Sequence, residues 1–447
     1  MVVYNLGEMN QYALQVDETQ NLNKCLTSRV CLPIETLDLM VNSKIEGEID
    51  INPARLEYLL SLYKMNNDGL AREISGKRKP LTGADLGSLV EKKKIPLALL
   101  KKIDKIFERG INWYATERKL PEYKSSSIFF RKDKFNTELN FESRKIASRY
   151  EEKKFAILNL CSAINFKLDR RMERFSIDSD AKDVAKQMRA QFAKIEQTLY
   201  EKQAMKKPKS ERDILKLYSA IIEHLNVFVF EYLEAPRKKE KTNFNGFFIQ
   251  PNIIVIKGQK YYRREIFTLL HEFAHYLLDS EEIDDLDEER MPEHESKIER
   301  WCNDFVYYFL AGDYAQTITS ITPANAHNGF HKEKVEEIYK ATSLSWTSIY
   351  TRLKIEHKLS PKDYDAIMQK IYESMNKDMD EKKMRMRQEI ERKKEMGMRV
   401  QPIFRREIPS RLYKEIVTIN YFEGNLNEVR FCDYLNVRPD KIDKELY

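Results

Sequence analysis

Residues His271, Glu272, Phe273, Ala274 and His275 put two imidazoles four positions apart, with a carboxylate directly after the first. On an α-helix, positions i and i+4 share one face, so both rings can grip a single ion. Glu272 then stands beside that ion, placed to take a proton from a water molecule. The flanks read as helix. Ile266, Leu269, Leu270, Phe273, Ala274, Leu277 and Leu278 form a broad apolar surface, and residues 261–278 contain neither Pro nor Gly. Two incidental histidines on a buried helix are the competing interpretation. A chance match to this spacing is rare in a chain with seven histidines, and the strand-then-helix setting further favours a zinc site.

A catalytic zinc takes three protein ligands and keeps one position open. In the long metzincin form of the motif a third His follows six residues after the second. Here that place is Glu281, and Leu278 stands where Gly would be, which excludes that form. The remaining candidates are His294, Glu293, Glu295 and Glu299. Glu299 is the best placed, because it lies within a second helical stretch, SKIERWCNDFVYYFLAG, and a rigid element positions a ligand better than a loop. Its face continues through Cys302, Asn303 and Val306. Spacing alone leaves the choice open.

The elements that must position these groups can be read around them. Ile214 to His224 predicts an amphipathic helix, NVFVFEYL a β-rich run, and Ile253 to Ile256 a buried strand. The REIFTLLHEFAHYLLD helix follows, then the acidic loop SEEIDDLDEERMPEHE. Upstream, Pro53 suits a first helical turn, Thr82 an N-cap and Gly110 a stop, giving a compact set of short helices from Asn52. Residues 332–375 read as short helices, 376–398 as an exposed charged helix held by i to i+4 ion pairs, and a last helical pair begins near Pro409.

These features together resemble the ImmA/IrrE family of metallopeptidases. The resemblance rests on residues 245–312: GFF before a strand, IIVI, an Arg before FTLLHEFAHYLL, and E-x-x-C-N-x-F at Glu299, Cys302, Asn303 and Phe305. It implies that Glu299 is the third ligand. Cys302 stands where the family usually has Ala, and Ala311-Gly312 replaces its usual Met-Pro, so substrate contacts at that loop would differ. Segments upstream (DAKDVAKQMRAQF) and downstream (VEEIYKATSLSWTSIYTRLK) look similar too.

Residues 52–115 resemble a diverged XRE-type helix-turn-helix, with NDGLAREI as second helix and TGADLGSLVEKKK as recognition helix, although GKRKP makes the turn irregular. Lys77, Arg78, Lys79 and Lys92 to Lys94 are candidate phosphate contacts; a solvated charged face is the plainer alternative.

Composition narrows the field. Among 447 residues, 77 basic and 71 acidic side chains leave a formal charge of +6, which permits a local nucleic-acid face without arguing for one. Cys25, Cys31, Cys161, Cys302 and Cys432 form no CxxC pair, so a metal must be held by His and carboxylate. His224, His327, His331 and His357 have no motif around them. No apolar run is long enough to span a bilayer and the N-terminus does not read as a signal peptide, so a cytoplasmic protein is expected.

The expected fold is mainly α (α+β): an uncertain segment 1–50, a helix-turn-helix-like module 51–120, a helical connecting region 121–212, a zincin-like peptidase domain 213–375 with a small sheet beside the HExxH helix, and a helical C-terminal region 376–447. The expected function is a regulatory zinc endopeptidase with Glu272 as general base and His271, His275 and Glu299 as ligands. By resemblance its substrate is a transcriptional repressor, in a mobile-element or stress circuit. Another divalent ion could replace Zn2+. The competing readings are a DNA-binding regulator or toxin–antitoxin component with a silent or structural metal site, and a broad degradative protease, which large helical additions disfavour.

Overall fold

The computed structural model describes residues 47–75, 80–118, 139–235, 240–280, 283–285, 297–398 and 405–446. The chain divides into two compact units, residues 1–129 with 144–149, and residues 130–143 with 150–447. The architecture is α+β, mostly helical with small sheets.

In the first unit, strand β1 (Glu48–Asp50) is followed by helices α1 (Pro53–Leu62), α2 (Asn67–Ile74) and α3 (Gly83–Glu91), strand β2 (Lys94–Pro96), and helices α4 (Leu97–Phe107) and α5 (Ile111–Ala115). Pro53 occupies the first turn of α1, where its missing N–H costs nothing. Thr82 closes a reciprocal capping box with Asp85 at the start of α3. Leu56, Leu59, Leu70, Leu86, Leu100 and Ile103 form the core of this unit.

Two details differ from the sequence reading. Among the short helices expected from Asn52, residues 94–96 form a strand instead, because Ile95 pairs opposite Ile49 and is buried in this core. Lys92 and Lys93 lie in the turn after α3 and Lys94 in β2, so they do not extend a recognition helix. Lys77, Arg78 and Lys79 lie outside the described residues.

The second unit opens with α6 (Phe141–Ala163, whose residues 144–149 belong to the first unit) and continues through α7 (Ala181–Glu201), α8 (Glu211–His224), β3 (Phe228–Tyr232), β4 (Phe244–Ile249), β5 (Ile253–Lys257), α9 (Tyr262–Leu278), β6 (Ile283–Asp285) and α10 (Lys297–Ala311). The sheet order is β3-β5-β4-β6, with β3 parallel to β5 and the other pairs antiparallel. Every residue of β3, β4 and β5 is buried, as their apolar runs require, because both sheet faces are covered. Helix α9 packs on β4 and β5. Elsewhere on the sheet, Tyr150 meets Phe230 and Phe247, and Tyr413 meets Phe230 at 5.5 Å between ring centroids.

Beyond α10 come α11 (Tyr314–Thr319), α12 (Lys332–Ala341), α13 (Trp346–Ile355), α14 (Pro361–Glu395), α15 (Arg411–Phe422), α16 (Glu428–Leu435) and α17 (Ile442–Leu446). The charged helix expected from 376 starts at Pro361 instead. Its first turns bury Ile367 and Met368, and the exposed remainder carries the expected close-spaced ion pairs, Glu381 with Arg385 and Glu389 with Lys393.

The C-terminal segment is tied down by buried carboxylates. Arg405 donates to Glu265 at 2.6 Å and also to Glu231, the Ile408 N–H donates to Glu231 at 2.6 Å, and the Arg411 N–H donates to Glu223 at 3.0 Å. Burial pushes the Glu223 carboxyl up to about 7, outweighing the hydrogen bonds from the Ser410 hydroxyl and the Arg411 N–H. Between its ordinary 4.5 and about 7, the folded chain holds a proton that the unfolded chain releases. Stability from this group is therefore complete below the lower value and declines as pH rises through the upper one, by on the order of 3 kcal/mol. The melting temperature is expected to fall from pH 5 to pH 8, and to fall less in Glu223→Gln. Equal slopes in the two proteins would contradict this assignment.

Candidate metal centre

Helix α9 forms where its apolar stripe meets the sheet, and its ends are fixed from outside. Arg263 near its start pairs with Glu211 at 2.6 Å and donates to the carbonyls of Tyr339, Thr342 and Leu344, which also caps the end of α12. At its other end Asp279 takes a left-handed cap, Arg170 donates to the carbonyls of Tyr276 and Leu277, and the Phe175 N–H donates to Leu277 at 3.0 Å. These groups satisfy carbonyls that a helix end leaves open.

One turn apart on this helix, His271 and His275 direct their Nε2 atoms toward each other, 3.2 Å apart. Both residues are buried, as is Glu272 between them in sequence. Helix α10 brings Glu299 to the pair from its first turn, where a helix N-terminus favours a carboxylate. Glu299 Oε2 lies 3.1 Å from His271 Nε2, and Oε1 lies 3.5 Å from His275 Nε2. The Glu299 side chain is 22% exposed against 2% for His271 and 0% for His275, so solvent reaches the group from the carboxylate side. Burial pushes the Glu299 carboxyl up, but the adjacent His271 and His275 outweigh it and hold it well below the usual carboxylate range.

The fit to a metal can be tested on these distances. Two donors held at about 2.0–2.1 Å from one tetrahedral ion stand about 3.3–3.4 Å apart. The three observed separations, 3.1, 3.2 and 3.5 Å, bracket that value. Two imidazoles and one carboxylate are also the donor set of known catalytic zinc sites. Among the described residues, His271, His275 and Glu299 are the His, Cys, Asp or Glu groups that converge in this way, and neither Glu272 nor Cys302 is one of them. Of the other third-ligand candidates, His294, Glu293 and Glu295 lie outside the described residues, as does Glu281.

Helix α10 is itself held in register. Trp301 Nε1 donates to the Ser179 carbonyl at 2.7 Å, and Arg189 donates to the Phe309 carbonyl at 2.9 Å, near the C-terminal end. Gly312 follows with φ +53, and a Cβ there would fall 1.9 Å from the Arg189 guanidinium. Small size and left-handed backbone together explain the Gly at this loop.

Gly246 has a role the sequence reading did not assign. A Cβ at this position in β4 would stand 2.7 Å from Thr268 Cγ2 and 2.8 Å from Glu272 Oε1. The bare backbone thus lets the strand close against Glu272. A glycine inside an otherwise apolar strand signals such close approach. A peptidase site also needs a donor for the developing oxyanion, and Tyr276, Tyr307, Tyr308 and Arg264 are the polar side chains near the motif in sequence. In the structure Arg170 stacks on the Tyr276 ring, Arg352 on that of Tyr307, Tyr308 accepts from Arg352, and Arg264 faces Asn245, so none is assigned that role.

With free zinc a hundredfold above its Kd, the metal-stripped wild type is expected to gain about 2.7 kcal/mol of stability. His271→Ala and Glu299→Ala should gain less than half as much at the same zinc concentration, measured by thermal melting. An undiminished gain in either variant would remove that residue from the site.

Comparison with known proteins agrees with this geometry. Residues 223–313 match the Peptidase_M78 family model, described as the IrrE N-terminal-like domain. The match begins upstream of the stretch that carried the sequence resemblance, and it takes in β3 to β5 and both helices that present the His and Glu donors. No curated protein and no solved structure matches the chain. Within residues 223–313, therefore, the chain carries a domain similar to the IrrE-type peptidases, a metallopeptidase-type family.

Proposed function

We propose that this protein is a zinc-dependent endopeptidase of regulatory type, with His271, His275 and Glu299 as metal ligands and Glu272 as general base. The observation that carries the proposal is the convergence of the three donors at tetrahedral spacing, with Glu272 adjacent to His271 yet outside the donor set. A structural site would need no such carboxylate.

Zinc in this donor set acts as a Lewis acid that polarises a peptide carbonyl and lowers the pKa of water to about 7. The Glu272 carboxylate accepts the proton of the attacking water as the water oxygen bonds to the carbonyl carbon. It then gives that proton to the amide nitrogen as the C–N bond breaks. Gly246 leaves the space that the Glu272 carboxylate occupies, and the buried flanks of α9 exclude water from the rest of the site. The partly exposed Glu299 side of the group is where a peptide would enter.

The substrate we propose is a partner protein, and by the ImmA/IrrE resemblance a transcriptional repressor. The XRE-like resemblance of residues 51–120 makes DNA a candidate second partner, through which the enzyme would meet a DNA-bound repressor. Among the described residues no helix is long and apolar enough to cross a membrane.

The test is cleavage of a candidate repressor encoded beside this gene, followed by mass spectrometry of the fragments. Glu272→Gln is expected to keep its zinc while turnover falls about 10²- to 10⁴-fold. Gly246→Ala should also keep zinc and lose at least tenfold in rate, because its Cβ meets the base. Undiminished cleavage by Glu272→Gln would rule out its role as general base.

A further inference from the structure

His275 has two ring nitrogens, and the site described above uses one of them. Nε2 faces His271 and Glu299, while Nδ1, on the other side of the ring, faces Cys302 Sγ at 3.8 Å. Cys302 is fully buried and one turn beyond Glu299 on α10. Positions i and i+3 of a helix share a face. A single turn of α10 therefore meets His275 on both sides, with a carboxylate at Nε2 and a thiol at Nδ1. The sulfur does not belong to the converging donor group, so it stands behind the ligand rather than among the ligands.

We infer that Cys302 is a positioning residue for His275: its sulfur accepts a hydrogen bond from Nδ1–H, which keeps the proton on Nδ1 and so commits the Nε2 lone pair to the ion. This inference rests on the metal reading above. A neutral imidazole carries its proton on one nitrogen, and the partner of the protonated nitrogen decides which one remains free to bind. Carboxylates and carbonyls usually fill that place and raise ligand basicity. A thiol sulfur is a weaker acceptor, so it fixes the tautomer and ring angle while adding little electron density. Residues behind metal ligands in this way typically change affinity 10- to 100-fold when removed, and a weak acceptor belongs at the low end.

The test compares full-length wild type, Cys302→Ala and Cys302→Ser, using zinc competition against a chelator and visible spectra of the cobalt(II)-loaded proteins. Cys302→Ala should bind zinc about tenfold more weakly and show shifted cobalt d–d bands, with metal-free melting like that of the wild type. Cys302→Ser, which keeps an acceptor, should recover most of the affinity. It also serves as the probe if the alanine variant does not fold. Wild-type affinity and unshifted bands in Cys302→Ala would overturn the inference. A sulfur-to-cobalt charge-transfer band in the wild type would overturn it too, by making Cys302 a ligand. A folded wild type that binds neither ion would overturn the metal reading itself, and this inference with it.

Discussion

Two imidazole nitrogens 3.2 Å apart in a buried setting, with a carboxylate against both, form a cluster that could hold a cation at its centre, and the proposed chemistry depends on it. Protonated rings would repel each other. The fold keeps the cluster together by fixing the two helices that carry it. Arg263 and Arg170 hold the ends of α9, and Arg189 with Trp301 holds α10. In three of these cases an arginine reaches carbonyls at a helix end. Its planar fork of donors suits a group of carbonyls that the helix cannot satisfy itself.

The sheet supplies the remaining constraint. Strand β4 lies close against α9 because Gly246 has no side chain, so the position of the proposed base depends on strand packing as much as on its own helix. The other end of α9 is tied to the C-terminal segment through Glu265 and Arg405. A residue more than a hundred positions away in the sequence thus contributes to the stability of the motif helix. Removing Arg405 would leave two buried carboxylates without their cation, which is costlier than the pair is stabilising.

Much of the site could be read in the sequence because its signals are local. The His271 to His275 spacing, the apolar stripe of α9, the buried strand at Ile253 to Ile256 and the cap at Thr82 all lie within a few residues of one another. Glu299 was reached by combining helical placement with family resemblance, since no spacing rule links two separate helices. The missed features are long-range. Arg170, Arg189 and Arg405 look like ordinary surface cations until the chain folds, and the contact between Cys302 and Nδ1 needs the relative rotation of α9 and α10. Gly246 was visible as a residue, but its meaning depends on which helix lies beneath. The strand at Lys94 to Pro96 carries little local signal, because its partner, Glu48 to Asp50, is a short acidic stretch and the pairing places Ile49 opposite the buried Ile95. The early start of α14 has a similar cause: two buried residues, Ile367 and Met368, join what read as separate helices.

The most direct measurement is X-ray absorption at the zinc edge on protein loaded with one equivalent of zinc. The account predicts a four-coordinate ion with two imidazole nitrogens and oxygen neighbours at about 2.0–2.1 Å, and no sulfur at about 2.3 Å. A sulfur neighbour, or a shell without imidazole scattering, would contradict the assignment of His271, His275 and Glu299 as the site.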